Sequence, residues 1–260
     1  MNYRLFFIGS FILSTLIACH SSSKFQKGFA VESTSEEDSK DEITGLHKDS
    51  ITFETRPGSV LLTGFAQIRL TPVYKVNYRK DNKSSFVGSN SFMRPDETEN
   101  TEGNIWNNHI MPGFEIVYGF NMLNVSYSEF RNNKQKNFFE KPVLIRALYY
   151  PSNTSDTLNF KPIKRNFYIV SVYNEDTNKD KFINQNDLRR LMLFNLNGEF
   201  QKFLIPENYS VTKSEYDSEN DLMFVFAKFD ENGNGIREDK EPVHVFWIDL
   251  KDPSKTGRQF

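Results

Sequence analysis

An internal duplication constrains this chain more than any other feature of its 260 residues. At a constant offset of 54 positions, Tyr168-Ile-Val-Ser-Val172 falls on Leu222-Met-Phe-Val-Phe226, and Leu191-Met-Leu-Phe-Asn195 falls on Val245-Phe-Trp-Ile-Asp249. Between the matched runs lie two twelve-residue segments, 176–187 and 230–241, with acids and amides at alternate positions. The apolar runs are short and rich in Val, Ile, Phe and Tyr, which suits strands better than helices. Each copy therefore reads strand, polar loop, strand, turn, and the copies span 168–198 and 222–252. Such a unit cannot bury its apolar face alone and needs a neighbour to stack on. The expectation is an all-β fold of repeated antiparallel hairpins, either propeller-like or a sandwich.

The polar segments carry chemistry. Loop one offers Asp176, Asn178, Asp180, the Phe182 carbonyl, Asn184 and Asp187; loop two offers Asp230, Asn232, Asn234, the Ile236 carbonyl, Glu238 and Glu241. These are positions 1, 3, 5, 7, 9 and 12 of a tight loop, the spacing at which a hard cation such as Ca²⁺ collects six to eight oxygens. Calcium is therefore the expected cofactor. The same Asn, Asp and Gly residues also make good metal-free hairpin loops, which is the competing reading.

The spacing resembles the DxDxDG calcium loops that EF-hands and dockerins share with some β-propeller and adhesion domains. The strand flanks differ from the helices of a true EF-hand. Loop one has Lys181 where the resemblance calls for a turn glycine; loop two has Gly235 there but Arg237 where loop one has Ile183. Three carboxylates in loop one, and two in loop two with Glu238 as a third candidate, point to weak binding, about 10⁻⁴–10⁻³ M. At ten times such a Kd, each ion would stabilise the fold by roughly 1.4 kcal/mol.

Arg4, the apolar segment from Leu5 to Leu16, and the ending Leu16-Ile17-Ala18-Cys19 form a second signal. The apolar stretch is too short to span a bilayer but suits a signal peptide. Its ending resembles the lipobox of bacterial lipoproteins. That resemblance implies cleavage after residue 18 and lipidation of Cys19, the one cysteine in the chain. It places the protein in the bacterial cell envelope with the membrane as a partner, and His20 in place of an aspartate suggests the outer membrane. Residues 19–50 are polar, charged and poor in aromatics, a composition expected of a flexible tether.

A β-domain is expected over 51–260, with candidate strands at Ser59–Leu62, Gln67–Thr71, Val73–Asn77, Phe114–Tyr118, Leu123–Tyr127 and Val143–Tyr149. Met122–Phe130, the polar stretch Arg131–Lys141 and the strand opening at Pro142-Val143 suggest a degenerate third copy without ligands. Trp247 reads as core. Trp106 and His109 sit in an amide-rich loop that could take a sugar, although packing of the loop onto itself is the plainer reading. No nucleophile elbow, phosphate-binding glycine loop or metal-spaced histidine pair is present. A net charge of −2 without a basic stripe argues against nucleic acid.

The function expected from these features is a lipid-anchored, non-enzymatic binding or structural module whose calcium ions brace hairpin loops, with a glycan or envelope protein as partner. The alternative is a calcium-stabilised envelope hydrolase acting on glycans, which would need paired carboxylates distant in sequence. A calcium sensor is a third class.

Overall fold

In this computed structural model the described residues are 28–31, 54–78, 85–87, 90–91 and 111–260. Cys19 and the segment before it, Trp106 and His109 lie outside them.

The described residues hold strands and no helix. In chain order the strands are β1 (Phe29–Ala30), β2 (Thr55–Pro57), β3 (Leu61–Leu62), β4 (Ile68–Tyr78), β5 (Ser85–Val87) and β6 (Asn90–Ser91). There follow β7 (Phe114–Glu129), β8 (Lys134–Asn137), β9 (Leu144–Pro151), β10 (Asp156–Leu158), β11 (Lys161–Ile163), β12 (Phe167–Tyr173) and β13 (Phe182–Ile183). The last are β14 (Arg190–Asn195), β15 (Phe200–Phe203), β16 (Tyr209–Asp217), β17 (Leu222–Phe229), β18 (Val243–Asp249) and β19 (Thr256–Arg258). A large antiparallel sheet runs β15-β14-β12-β9-β7-β4-β2, with β3 and β5 joining β4 and with β6 and β8 joining β7. A second sheet runs β16-β17-β18-β19, and β1-β13 and β10-β11 form two small pairs. Neither a closed barrel nor a propeller is formed by these strands.

Burial follows from sequence. Strands β9 and β12, Leu-Ile-Arg-Ala-Leu-Tyr-Tyr-Pro and Phe-Tyr-Ile-Val-Ser-Val-Tyr, are buried at every position and occupy the middle of the large sheet. Strand β17 instead alternates in burial, as expected of a strand with one face on the core. One core lies between the sheets and joins Phe114, Ile169, Leu191 and Leu193 to Met223, Val225, Phe246 and Ile248. A second joins Leu70, Val125, Tyr168, Val170, Met192 and Phe194, so both faces of β12 and β14 are covered. Phe138, from the segment after β8, stacks on Phe194 at 5.0 Å in that second core.

The two copies of the repeat fall in different sheets and face each other. Copy one is β12, loop one and β14; copy two is β17, loop two and β18. They are not superposable in register. Tyr168 pairs with Phe194, whereas its counterpart Leu222 pairs with Asp249, one residue past the counterpart of Phe194. A one-residue slip reverses which face a side chain meets. Accordingly, Leu191 and Leu193 face the shared core in copy one, and Phe246 and Ile248 face it in copy two. Trp247, expected in the core, is only half-buried and packs against Gly257 of β19.

Several expected strands merge. The expected strands Gln67–Thr71, apart from Gln67 itself, and Val73–Asn77 are both within β4, because Pro72, opposite Val125, interrupts no more than one donor. Phe114–Tyr118 and Leu123–Tyr127 are both within β7, which absorbs the residues between as a bulge with Asn121 at φ 57°. The expected third loop, Arg131–Lys141, contains β8, folded back on β7 through a turn with Asn133 at φ 48°. Residues 28–31, inside the expected tether, are ordered against loop one.

A buried ion pair ties the sheets together. Arg165, just before β12, gives two hydrogen bonds to Asp221 at 2.6 and 2.9 Å and one to the Leu250 carbonyl at 2.7 Å. Tyr216 donates to the same carboxylate at 3.0 Å. Both members of the pair are almost wholly shielded from solvent.

Candidate metal centre

Loop two begins directly after β17, and two residues separate loop one from β12, so each is carried on a strand of the core. Position 1 directs the fold of the loop. Asp176 accepts the Asp180 N–H at 3.0 Å on one oxygen and the Lys181 N–H at 2.8 Å on the other. Asp230 does the same for Asn234 at 3.1 Å and Gly235 at 2.9 Å. Position 3 accepts from position 5, Asn178 from Asp180 at 3.0 Å and Asn232 from Asn234 at 2.9 Å. Position 5 accepts from position 7 at 2.8 Å in both loops. Position 12 accepts from position 9, Asp187 from Asn184 at 2.8 Å and Glu241 from Glu238 at 2.9 Å. Five matching hydrogen bonds thus recur in two loops that lie in different sheets.

The backbone conformation matches as well. Positions 4 and 6 are left-handed in both loops: Lys179 at φ 60° and Lys181 at 69°, Gly233 at 68° and Gly235 at 72°. Lys181 therefore adopts the glycine conformation that its side chain disfavours. The carbonyl-supplying residues at position 7, Phe182 and Ile236, expose their large side chains, 46% and 37% respectively. Side-chain burial is not what fixes them there.

The polar side chains converge within each loop. Asn178 and Asn184 both direct their amides to Asp180 at 3.3 Å. In loop two, Asn232 and Asn234 direct theirs to Glu238 at 3.4 and 2.9 Å. Among the described residues, no three His, Cys, Asp or Glu side chains are grouped as a metal-holding cluster. Half of the expected donors here are amides and main-chain carbonyls, so acid groups alone describe these loops poorly.

The loops differ at position 12. In loop one, Asp187 is fully buried and both oxygens are engaged: Thr177 and Asn178 N–H groups give to one at 2.8 and 3.4 Å, Asn184 to the other. Burial raises the Asp187 carboxyl above its usual value, against the lowering effect of those bonds. In loop two, one Glu241 oxygen takes the Glu238 N–H, while Oε1 is buried without a hydrogen-bond partner. Burial raises the Glu241 carboxyl too, and the nearby Asp230 and Glu238 charges add to the rise. An unpartnered buried carboxylate oxygen beside two further acids is costly unless a cation or proton compensates it. By donor chemistry loop two fits a calcium ion well; loop one fits it with Asp187 acting first as a staple for the loop.

Sequence reasoning missed the contact between the loops. The Gly235 backbone lies so close to Thr177 that a Cβ there would sit 2.0 Å from the Thr177 carbonyl oxygen. No local pattern encodes such a contact.

Elsewhere, a pocket of about 460 Å³ beside the buried ion pair is lined by Lys161, Lys164, Arg165, Asp221 and Lys251 among others. Its single carboxylate, Asp221, is committed to Arg165 and Tyr216. No protein-family model matches this chain, and no curated protein matches it either.

Proposed function

We propose that this chain is a lipid-anchored, calcium-binding protein of the bacterial cell envelope, in which two ions brace paired hairpin loops of a β-sandwich-like domain. It serves as a binding or structural module. The observation that carries the metal is the buried, unpartnered Glu241 Oε1 in a loop whose hydrogen bonds repeat those of loop one. The ligands are Asp176, Asn178, Asp180, Phe182, Asn184 and Asp187 in loop one. In loop two they are Asp230, Asn232, Asn234, Ile236, Glu238 and Glu241. Calcium supplies the positive charge that these oxygens lack and holds each loop closed between its strands. The lipid anchor rests on Leu16-Ile-Ala-Cys19, and an exported location supplies the calcium that weak sites need. A modular role is favoured over glycan hydrolysis because the pocket beside Arg165 offers lysines and one committed acid, not the paired carboxylates of a glycosidase.

The test is thermal unfolding of the purified chain in millimolar calcium and in EDTA. Calcium should raise Tm, and Asp176→Ala with Asp230→Ala should abolish the rise; an unshifted wild-type Tm refutes the metal. For the anchor, Cys19→Ser should release the protein from membranes, and continued membrane association refutes lipidation.

A further inference from the structure

Strand β1, flanked by Gly28 and Val31, has a partner that is part of a candidate metal loop. Strand β1 pairs antiparallel with β13, Phe29 opposite Ile183 and Ala30 opposite Phe182. The Val31 N–H donates to the Lys181 carbonyl at 2.9 Å. Phe29 is buried against Leu123, Leu144, Tyr173 and Ile183. Gly28, at φ 71°, lies where a Cβ would come 2.0 Å from the Ile183 carbonyl oxygen. The Lys75 ammonium donates to the Gly28 carbonyl at 3.0 Å.

The edge that receives this strand belongs to no large sheet. Phe182 and Ile183 are positions 7 and 8 of loop one, held by N–H bonds to Asp176, Asp180 and Asp187 on either side. We propose that calcium in loop one holds Gly28–Val31 docked, and that loss of the ion releases this segment and lengthens the tether to the lipid. This deepens the calcium reading above and rests on it; its consequence at the membrane rests on lipidation of Cys19. Asp180 gathers the Asn178 and Asn184 amides at 3.3 Å, while Phe182, between them, donates its N–H to the same carboxylate; a divalent cation drawing on these oxygens would fix the stretch that carries β13. Opening of the loop removes the backbone partner of β1 and uncovers Phe29. Because linkage is reciprocal, docking raises the calcium affinity of loop one by the same factor by which calcium favours docking.

The change in reach is large. Docked, the chain between Cys19 and Gly28 can span at most about 30 Å. Released, the limit moves to the stretch from Cys19 to Glu54, at most about 120 Å. Calcium would thus hold the domain close to the bilayer.

Amide hydrogen exchange on the mature lipidated chain in detergent micelles, with calcium or EDTA, tests this. Exchange at Ala30 and Val31 should slow about tenfold or more with calcium, together with residues 176–187. Protection gained at 176–187 but not at 30–31 overturns the tether proposal and leaves calcium binding intact. No gain in either loop overturns both. Phe29→Ala and, as a variant that removes only the Val31 N–H bond to the Lys181 carbonyl, Val31→Pro should each raise the calcium midpoint for protecting 176–187 by about fivefold or more. The midpoint for 230–241 should shift less. An unchanged loop-one midpoint in both variants overturns the proposal.

Discussion

The Thr177 hydroxyl donates a 2.6 Å hydrogen bond to the Gly235 carbonyl, joining position 2 of one loop to position 6 of the other. The same oxygen accepts the Leu188 N–H at 2.9 Å, so the contact is anchored to the exit of loop one. Loops from opposing sheets are thereby held side by side, and what distorts one is felt by the other.

Gly235 and Gly233 separate two causes of glycine dependence. Both are left-handed, but a Cβ at Gly233 meets nothing within 4 Å, while one at Gly235 collides with Thr177. Gly233→Ala should cost about 1 kcal/mol, the conformational penalty alone. Gly235→Ala should cost clearly more, and it should also weaken the calcium response of loop one. Urea unfolding of the two variants checks this, and equal losses would discount the inter-loop contact.

Lys181→Gly should stabilise the protein. The residue is left-handed at φ 69° and exposed, and its N–H bond to Asp176 survives in glycine. Relief of about 1–2 kcal/mol of backbone strain exceeds the extra entropy glycine loses on folding, roughly 0.5–1 kcal/mol. The net gain is about 0.5–1 kcal/mol by urea unfolding, with tighter calcium binding in loop one as a positive charge leaves.

Without metal, stability should fall as pH rises. The folded-state carboxyls of Glu241 and Asp187 are raised, chiefly by burial. A raised acid contributes its full share below the ordinary carboxylate range and loses it as pH climbs through the raised value. In EDTA, Tm should therefore decline toward neutral pH, and calcium should flatten the decline. Glu241→Gln should raise Tm at neutral pH in EDTA and reduce the gain from calcium. An equal loss in both buffers would deny Glu241 a metal role.

Asp221→Ala should cost about 3–5 kcal/mol, the penalty for leaving a buried arginine unpaired. Pairing it with Arg165→Met should recover much of that loss, since no buried charge then remains. Denaturant midpoints of the single and double variants test this; a double variant no better than Asp221→Ala would show that the guanidinium itself is not the problem.

Much of the fold was legible because burial leaves a pattern. The all-β class and the two hairpins follow from the matched apolar runs around 168–172 and 222–226. Strand β8 was not legible, since Lys-Gln-Lys-Asn carries no apolar residue. The one-residue register slip was hidden too: it is decided by packing between sheets, and both hairpins read alike in one dimension. In the loops, the alternate polar residues are those whose side chains hydrogen-bond one another, Asn178 and Asn184 to Asp180, Asn232 and Asn234 to Glu238. The left-handed Lys181, the staple role of Asp187 and the Thr177–Gly235 contact depend on tertiary neighbours.

The pair of Arg165 and Asp221 also orders events in time. A chain is made from its amino end, so Arg165 arrives with the strands of the large sheet before either Asp221 or the Leu250 carbonyl is present. Until then the guanidinium stays in water, because the strands that cover it are the ones that carry its counter-charge. Burial and neutralisation of Arg165 therefore come in one event, and the charge is never stranded without its partner.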